Sequence, residues 1–432
     1  MDLINEVLER IKPTDEENLR IKKAVEDIIT KINENIHNLM AEPILVGSVA
    51  KGTHLKNPDI DIFIRFSTSY ERNFIETFTL ELGKKILENP VINYAEHPYV
   101  NGKYNGFDFD IVPCYYIEDS FKKITAVDRT PFHTKFVLEH LSDDGKDQVR
   151  ILKQFLKGIG IYGAEAKVQG FSGYLTELLI IKYGTFENVL KEAESWRKFK
   201  IITFKDHGKN LYEKFKAPLI FIDPVDENRN VASALSLDNY SKFIHASKEF
   251  LKERKINFFF PEIHVPEKMP ERNTKILHLI LPRPELVDDV LYPQIRKFAT
   301  TVFRNLDEFQ PMDYHFYVDN FIHIIIESYF LDLPDVMVHE GPPVWDKNSE
   351  NFIKKWINKC YSGPYIKDGH FYAYVERKYN TMEKKILNIV EKNSIGKDLD
   401  RIKNKLKFSR DINTIDKKEL YLFMRKKFPW EY

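Results

Sequence analysis

Two aspartates two residues apart are the side chains best placed to do chemistry. Asp59 and Asp61 lie in the run DIDIFIRF, which alternates as a strand does. Successive side chains of a strand point to opposite faces, so both carboxylates share a face with Phe63 while isoleucines occupy the other. Neighbouring carboxylates repel each other unless a cation joins them, and Mg²⁺ prefers carboxylate oxygens combined with substrate phosphates. The pair therefore predicts a divalent-metal site.

A phosphate-binding turn is predicted just upstream of this strand. The apolar run PILV at residues 43–46 predicts a short buried strand that ends at Gly47 and Ser48. A glycine and a hydroxyl at a strand-to-helix turn leave backbone N–H groups free for a phosphate. The turn, ten intervening residues and the aspartate strand together favour metal-assisted nucleotidyl transfer.

A third carboxylate is expected from the run FDFDIVPCY, the second arm of a hairpin predicted over residues 98–113. Asp108 and Asp110 share one face of this arm. If the arm lies beside the aspartate strand, one of them completes the metal site. Asp110 is favoured because it leads directly into an apolar run, whereas Asp108 lies nearer the turn.

Length and composition limit the class of protein. A chain of 432 residues is too long for one ordinary core, so two to four domains are expected. Two cysteines argue against a disulfide framework or a cysteine-ligated zinc site. The N-terminus lacks a signal-peptide pattern, and no apolar run approaches the ~18 residues of a membrane span. The sequence predicts a soluble, cytoplasmic, multidomain protein without a membrane partner.

Charge is distributed unevenly although the formal net charge is zero. Residues 377–427 hold sixteen Lys and Arg against seven Asp and Glu. A basic segment of this kind is one electrostatic signature of a phosphate-backbone partner. Charge alone is equally consistent with lysine-rich helices that face solvent.

Further elements predict how the rest of the chain is arranged. Thr14 and Glu17 form a capping box that begins a helix with an apolar stripe, and helices are predicted over much of residues 148–254. Residues 223–230, DPVDENRN, are predicted as a polar turn that leads into a helix over residues 231–254. The glycine-rich stretch 158–173 indicates close backbone approach to a ligand or another helix. Beyond a break at residues 257–261, a β-α-β-β order favours a ferredoxin-like or RRM-like module, followed by a basic helical tail.

The ordered combination of these motifs resembles the nucleotidyltransferase superfamily that includes DNA polymerase β. At a finer level, the chain resembles the archaeal, class I CCA-adding enzymes from residue 47 to about residue 236. The matching stretches are GSVAKGTHLKNPDIDIF, HPYVNGKYNGFDFDIVPCY, LKQFLKGIGIYGAEAKVQGFSGYLTELLI and DPVDENRNVASALS. The third stretch is the most specific, because few other members of the superfamily carry it.

The resemblance implies a role for individual residues. Asp59 and Asp61 would bind both Mg²⁺ ions, and Asp110 the ion that activates the primer hydroxyl. The nucleotide-binding positions for ATP and CTP would be Gly47, Ser48, Lys51, His133, Lys153, Tyr162 and Arg229. Without the resemblance, His133 and Arg229 would be ordinary loop or turn residues, Lys153 a solvated lysine and Tyr162 a core residue.

The resemblance also implies a reaction. The enzyme would add C, C and A to the 3′ end of tRNA from CTP and ATP, releasing pyrophosphate, and would form a homodimer. One alternative is a poly(A) polymerase-type or other template-independent RNA nucleotidyltransferase. A tRNA-binding protein with an inactive head and a small-molecule nucleotidyltransferase are further alternatives, which the intact carboxylates and the basic tail respectively disfavour.

The expected fold is α+β and multidomain. A polymerase β-like nucleotidyltransferase head is expected over residues 1–142, and a helical central nucleotide-binding domain over residues 143–256. Residues 257–432 are expected to form the tRNA-binding region, with the ferredoxin/RRM-like module and the basic helical tail.

Overall fold

The computed structural model describes residues 2–94, 97–119, 123–205, 211–269 and 271–432. The chain forms two compact units, the first comprising residues 1–264 and 427–432 and the second residues 265–426. Within the described ranges, no helix combines the length and the apolar character that a membrane span needs.

The first unit contains ten helices and eight strands in its described part. The helices are α1 (Leu3–Ile11), α2 (Asp15–Ile36), α3 (Gly47–Lys51), α4 (Arg72–Ile86), α5 (Thr130–His140), α6 (Asp143–Gly158), α7 (Gly173–Tyr183), α8 (Phe186–Glu194), α9 (Leu211–Phe215) and α10 (Leu237–Lys252). The strands are β1 (Ala41–Val46), β2 (Asp59–Phe66), β3 (Glu88–Tyr94), β4 (Pro98–Tyr104), β5 (Phe107–Tyr115), β6 (Lys200–Ile202), β7 (Leu219–Asp223) and β8 (Asp226–Asn230).

A five-stranded sheet in the order β1-β2-β5-β4-β3 is the framework of the predicted head. Ile60, Ile62 and Ile64 of β2 enter a core with α2 and α4, as the strand alternation predicts. Phe63, on the other face, belongs to a separate small cluster with Val46 and Val112. The aspartate-bearing face is therefore the one turned away from the α2–α4 core.

Helix α2 begins where the capping box predicts. The Thr14 hydroxyl accepts a hydrogen bond from Glu17 N at 3.1 Å, and Thr14 N donates to Glu17 Oε2 at 2.7 Å. The predicted apolar stripe of this helix is buried, including Ile21, Ile28 and Ile32. The predicted start of the helix and its predicted apolar stripe are both confirmed.

The rest of the first unit is built on helices α6, α7, α8 and α10 around an aromatic-rich core. The glycine-rich stretch makes the close backbone approach that the sequence indicates. A Cβ atom on Gly158 would lie 2.1 Å from Phe258 O, and one on Gly170 would lie 1.9 Å from Ile161 O. These glycines let neighbouring segments pack at backbone distance.

The second unit contains β9 (Lys275–Pro282), α11 (Asp288–Phe303), β10 (Pro311–Val318), β11 (Phe321–Ser328), β12 (Val336–Pro343), α12 (Ser349–Trp356), β13 (Ser362–Lys367), β14 (His370–Glu376), α13 (Met382–Lys392), β15 (Lys407–Ser409) and α14 (Lys417–Arg425). Its four-stranded antiparallel sheet has the order β10-β11-β9-β15, and β12, β14 and β13 form a second, three-stranded sheet. The order β9-α11-β10-β11-α13-β15 along the chain gives the ferredoxin-like arrangement, with the three-stranded module inserted after β11. The predicted α+β fold class is confirmed.

Candidate active site

The pairing of β2 with β5 brings the predicted catalytic carboxylates together. The two strands are parallel, with Asp61 opposite Asp110 and Asp59 opposite Asp108. The condition on which the sequence prediction depended, that the FDFD strand lies beside the DIDIF strand, is met. Because paired residues of neighbouring strands point to the same face, four carboxylates converge at one end of this strand pair.

The electrostatics of this cluster favour a cation. Burial and the neighbouring Asp110 together raise the pKa of Asp61 to about 7, while Lys51 opposes the shift. Burial also raises the pKa of Asp110 to about 6, against the hydrogen bond that Asn101 Nδ2 donates to its Oδ1 at 2.8 Å. Burial and Asp108 raise the pKa of Asp59. Raised values on all three carboxylates mean that their ionised forms lack sufficient positive charge nearby.

The donor set fits a hard divalent cation. Asp59, Asp61 and Asp110 offer only carboxylate oxygens, the ligands that Mg²⁺ prefers when it also retains water and substrate phosphate oxygens. In the part of the chain that the structure describes, no three His, Cys, Asp or Glu side chains are already arranged as a metal-binding group. An open set of carboxylates rather than a closed cage suits a metal whose remaining ligands come from the nucleotide.

Gly47 lies against the carboxylate of Asp61. Its φ of 70° is in the left-handed region, and a Cβ atom there would lie 1.9 Å from Asp61 Oδ2. Only glycine satisfies both conditions without displacing the carboxylate. Ser48 follows in the first turn of α3, and its carbonyl accepts from Thr53 N at 2.9 Å. The predicted phosphate turn therefore adjoins the predicted metal ligand.

Two predicted triphosphate lysines share one buried acid. Lys51 Nζ donates to Glu177 Oε2 at 2.5 Å, and Lys153 Nζ lies 3.8 Å from Glu177 Oε1. Thr53 Oγ1 donates to Glu177 Oε1 at 2.6 Å and accepts from Lys153 Nζ at 3.2 Å. Glu177 is fully buried. The arrangement holds the ammonium groups of Lys51 on α3 and Lys153 on α6 beside one carboxylate.

Charge balance in this group depends on Glu177. Burial lowers the pKa of Lys153 to about 8, with Glu177 opposing that shift and Lys51 adding to it. Although burial opposes it, the charges of the two lysines hold the pKa of Glu177 below its ordinary value. Sequence reasoning missed this residue. Its only signal was one glutamate among apolar residues in the run YLTELLII of α7.

Tyr162 is brought beside Lys153. A Cβ atom on Gly173 would lie 3.1 Å from the Tyr162 hydroxyl and 4.0 Å from Lys153 Cε, so both side chains line the same small space. Lys157 Nζ lies 5.5 Å from the centre of the Tyr162 ring. Burial raises the pKa of Tyr162, which keeps its hydroxyl a neutral donor.

His133 and Arg229 meet at Asp223, a second residue that sequence reasoning missed. His133 Nε2 and Arg229 Nη1 each lie 2.9 Å from Asp223 Oδ2, and Tyr174 donates to Oδ1 at 3.2 Å. The rings of His133 and Tyr174 stack with centroids 4.0 Å apart. Lys51 Nζ lies 5.9 Å from the centre of the Tyr174 ring, so Tyr174 connects this group to the lysine group.

The run DPVDENRN, predicted as a polar turn, is a hairpin. Its residues end β7 and form β8, with the turn between Asp223 and Asp226. The predicted helix over residues 231–254 is correspondingly shorter and begins at Leu237. The polar residues misled the prediction because their partners, the partly buried His133 and Arg129 among them, come from distant parts of the chain.

Three family models match the chain in consecutive segments. A nucleotidyltransferase domain matches residues 22–133, the second domain of tRNA nucleotidyltransferase matches residues 147–260, and the C-terminal domain of CCA-adding enzyme matches residues 272–410. Together they account for most of the chain, in the order that the sequence motifs predict.

Curated relatives match over nearly the full length. The chain is 42% identical over 411 residues to a CCA-adding enzyme of Thermoplasma volcanium, covering 94% of this chain and 92% of the relative. It is 41% identical over 401 residues to a CCA-adding enzyme of Methanocaldococcus jannaschii, covering 88% of each. Among solved structures, a Cid1 poly(U) polymerase is similar with a TM-score of 0.49 and 16% identity, over 58% of this chain and 94% of that one. A likeness that low carries no inference about function.

Proposed function

The chain belongs to the CCA-adding enzymes, template-independent nucleotidyltransferases that act on tRNA with CTP and ATP, and from this premise we propose that Asp59, Asp61 and Asp110 are its catalytic carboxylates. The enzyme adds CCA to the 3′ end of tRNA. The observation that carries the assignment of the site is the parallel register that sets Asp61 opposite Asp110. Asp108 pairs with Asp59 and lies two residues nearer the hairpin turn than Asp110. Asp108 is proposed to be dispensable.

The three carboxylates are proposed to hold Mg²⁺. Bound metal of this kind stabilises the attacking and leaving oxygens of an in-line displacement and favours a deprotonated primer hydroxyl. The chain's contribution is to hold the carboxylates in place, and two neighbouring groups partly offset the burial that disfavours their ionised forms. Lys51 helps to keep Asp61 ionised, and the Asn101 amide does the same for Asp110.

The triphosphate is proposed to bind to Ser48, Lys51, Lys153 and Tyr162. Lys51 and Lys153 would neutralise phosphate charge, and Gly47 leaves room for the adjoining turn. Each lysine contributes a compact charge and three rotatable donors rather than a planar fork. Glu177 accepts a hydrogen bond from Lys51 and forms an ion pair with Lys153, whose ammonium group donates to Thr53. The remaining N–H groups of the two lysines are left for phosphate oxygens.

His133 and Arg229 are proposed to contact the nucleotide itself, with Arg229 reading the base. Arg229 is partly exposed, whereas its acceptor Asp223 is fully buried. The guanidinium therefore has a fixed inner end and donors that remain available at its outer end.

The remaining assignments concern the whole chain. Residues 1–142 are proposed as catalytic head, 143–256 as nucleotide-binding centre and 257–432 as tRNA-binding region, a division supported by the three consecutive family matches. We also propose that the enzyme is cytoplasmic, because tRNA is its substrate, and that it is a homodimer, as the resemblance to class I CCA-adding enzymes implies. Light scattering on the purified protein tests the dimer.

The activity is tested with tRNA that lacks its last three nucleotides. Incubation with Mg²⁺ and each labelled nucleotide, followed by sequencing of the products, should give CCA and no longer tail. Asp59→Ala, Asp61→Ala and Asp110→Ala should abolish addition and leave tRNA binding intact, and Asp108→Ala should retain most activity. A long poly(A) product would overturn the proposed reaction, and an active Asp110→Ala enzyme would remove Asp110 from the site.

A further inference from the structure

Asp223 is a buried acid that binds two of the proposed nucleotide-contacting residues. It ends β7 and is fully buried. Its Oδ2 accepts from His133 Nε2 and Arg229 Nη1, both at 2.9 Å. Its Oδ1 accepts from the Tyr174 hydroxyl at 3.2 Å and from Val225 N at 3.0 Å. A carboxylate offers about four lone-pair sites, and four donors use them. Asp223 therefore has no acceptor site left for a substrate and can act only through its partners.

We propose that Asp223 is a positioning residue that sets nucleotide choice by fixing His133 as an acceptor and Arg229 as a donor at the base. This inference rests on the proposed function, which assigns His133 and Arg229 to the nucleotide. It adds a specificity-determining residue that does not touch the nucleotide.

Asp223 fixes the tautomer of His133. Although its burial opposes the effect, hydrogen bonds from His133 and Val225 and the charge of Arg229 hold the pKa of Asp223 below its ordinary value. The ionised carboxylate only accepts, so the proton of His133 must lie on Nε2. Burial lowers the pKa of His133 and makes the ring neutral at neutral pH. Its Nδ1 then carries a lone pair and acts as an acceptor.

Asp223 also fixes Arg229. One Nη1–H of the guanidinium is committed to Oδ2, which sets the plane of the fork and directs its other N–H groups. Stacking of His133 on Tyr174, itself bonded to the same carboxylate, limits rotation of the imidazole. The acceptor and the donor thus have one relative arrangement, set by a single side chain.

An acceptor beside a donor complements the two bases that CCA addition requires. Cytosine and adenine both present an amino donor next to a ring-nitrogen acceptor on the pairing edge, and uracil and guanine present the reverse order. A buried polar group opposite the wrong partner is left unsatisfied, which is the strongest way to reject a substrate. The same fixed pair would therefore admit CTP and ATP and reject UTP and GTP.

The test is single-turnover incorporation of all four nucleotides by Asp223→Asn on tRNA that ends before, within and after CC. The uncharged amide offers one acceptor oxygen to four donors, and its NH₂ group must face either Val225 N or the pair His133 and Arg229. Since His133 and Arg229 are then held less firmly, the CTP-to-UTP and ATP-to-GTP ratios should fall about tenfold or more. The matched control is Asp226→Asn. Asp226 is a buried acid of the same hairpin, but it pairs with Lys123 and Arg129 instead. The control should share any loss of thermal stability and keep the wild-type ratios. Unchanged ratios in folded Asp223→Asn would overturn the proposal.

A measurement on the wild-type protein decides the matter if Asp223→Asn does not fold. Imidazole ¹⁵N shifts of His133 at neutral pH should show the proton on Nε2 and a free lone pair on Nδ1. A proton on Nδ1, or a charged ring, would overturn the proposal. Failure of the proposed function would look different, because wild-type enzyme would then add neither C nor A to the truncated tRNA.

Discussion

At the scale of single residues, Asp61 shows how the site is built around a charge that the chain does not supply. Its carboxylate is held against Gly47 on one side and faces Asp110 on the other. The resulting rise in its pKa is unfavourable for an isolated protein and useful for one that binds a cation, because the cation reverses the balance.

This rise predicts how stability depends on pH. The pKa of Asp61 is about 7 in the folded protein against an ordinary value of 3.8, so between these values the folded state binds the proton more tightly. The stabilisation is complete below about pH 3.8 and is lost as the pH rises through about 7. In metal-free buffer, the free energy of unfolding of wild type relative to Asp61→Asn should therefore decline across that interval.

Denaturant unfolding of both proteins in the presence of a chelator measures the difference. Adding Mg²⁺ at pH 7.5 should stabilise wild type and not Asp61→Asn. A constant difference across the interval would show that Asp61 titrates at its ordinary pKa.

Residue types and spacing predict the carboxylates of the candidate site but not the buried acids Glu177 and Asp223. Asp59, Asp61 and Asp110 follow from strand alternation within two short runs, and β2–β5 pairing bears that pattern out. Glu177 and Asp223 depend on partners 126 and 90 residues away, Lys51 and His133 respectively. Only the folded chain shows which distant donors a buried acid binds.

At the scale of elements, the turn between β1 and α3 packs against Asp61, a proposed metal ligand. Gly47→Ala would place a Cβ 1.9 Å from Asp61 Oδ2 in a backbone conformation with φ of 70°. Gly106, in the β4–β5 turn, has a φ of 82° and open space around its Cβ position. Gly47→Ala should displace the carboxylate and reduce the addition rate by about a hundredfold, on the order of a 1 Å misplacement of a catalytic group. Gly106→Ala should cost only backbone strain, about 1 kcal/mol.

Single-turnover rates and thermal unfolding of the two variants separate the causes. Equal activity losses would mean that strain, and not contact with Asp61, explains the need for glycine at position 47.

Glu177 joins three elements, α3, α6 and α7. Glu177→Gln leaves two buried ammonium groups without a carboxylate, and breaking a buried pair costs about 3–5 kcal/mol. The lower end is expected because glutamine still offers one oxygen to Lys51. KM for CTP and ATP should rise together, with their ratio unchanged, in contrast to the effect at Asp223.

Chemical denaturation and steady-state kinetics test this prediction. Glu249→Gln is the control, since its pair with Lys252 on α10 is exposed and worth at most about 1 kcal/mol. Equal stability of the two variants would show that the buried network contributes no more than a surface pair.

At the scale of the whole molecule, the basic segment 377–427, except for its last residue, is part of the second unit rather than an appendage. Helix α13 buries Met382, Ile386 and Ile389 in the core of the ferredoxin-like sheet, and β15 pairs with β9. The last six residues belong to the first unit, where Trp430 stacks on Phe258 with ring centroids 5.1 Å apart. The β-α-β-β order predicted the sheet, but charge counting could not reveal these buried contacts.

The role of the basic segment is therefore tested by neutralising exposed charges rather than by truncation, which would remove core residues. Lys405 precedes β15 and Lys407 is its first residue, and both are exposed. If both contact tRNA phosphates, Lys405→Gln with Lys407→Gln should weaken binding and lower the log–log salt slope by about 0.7–0.9 per lost contact. Lys23→Gln with Lys84→Gln, on α2 and α4 of the first unit, removes the same charge from exposed helix surfaces. Binding isotherms at several salt concentrations compare the pairs. Equal salt slopes for the two double variants would mean that only net charge matters and that the basic segment faces solvent. A smaller slope for the Lys405 and Lys407 variant alone would place tRNA phosphates against the edge of the ferredoxin-like sheet.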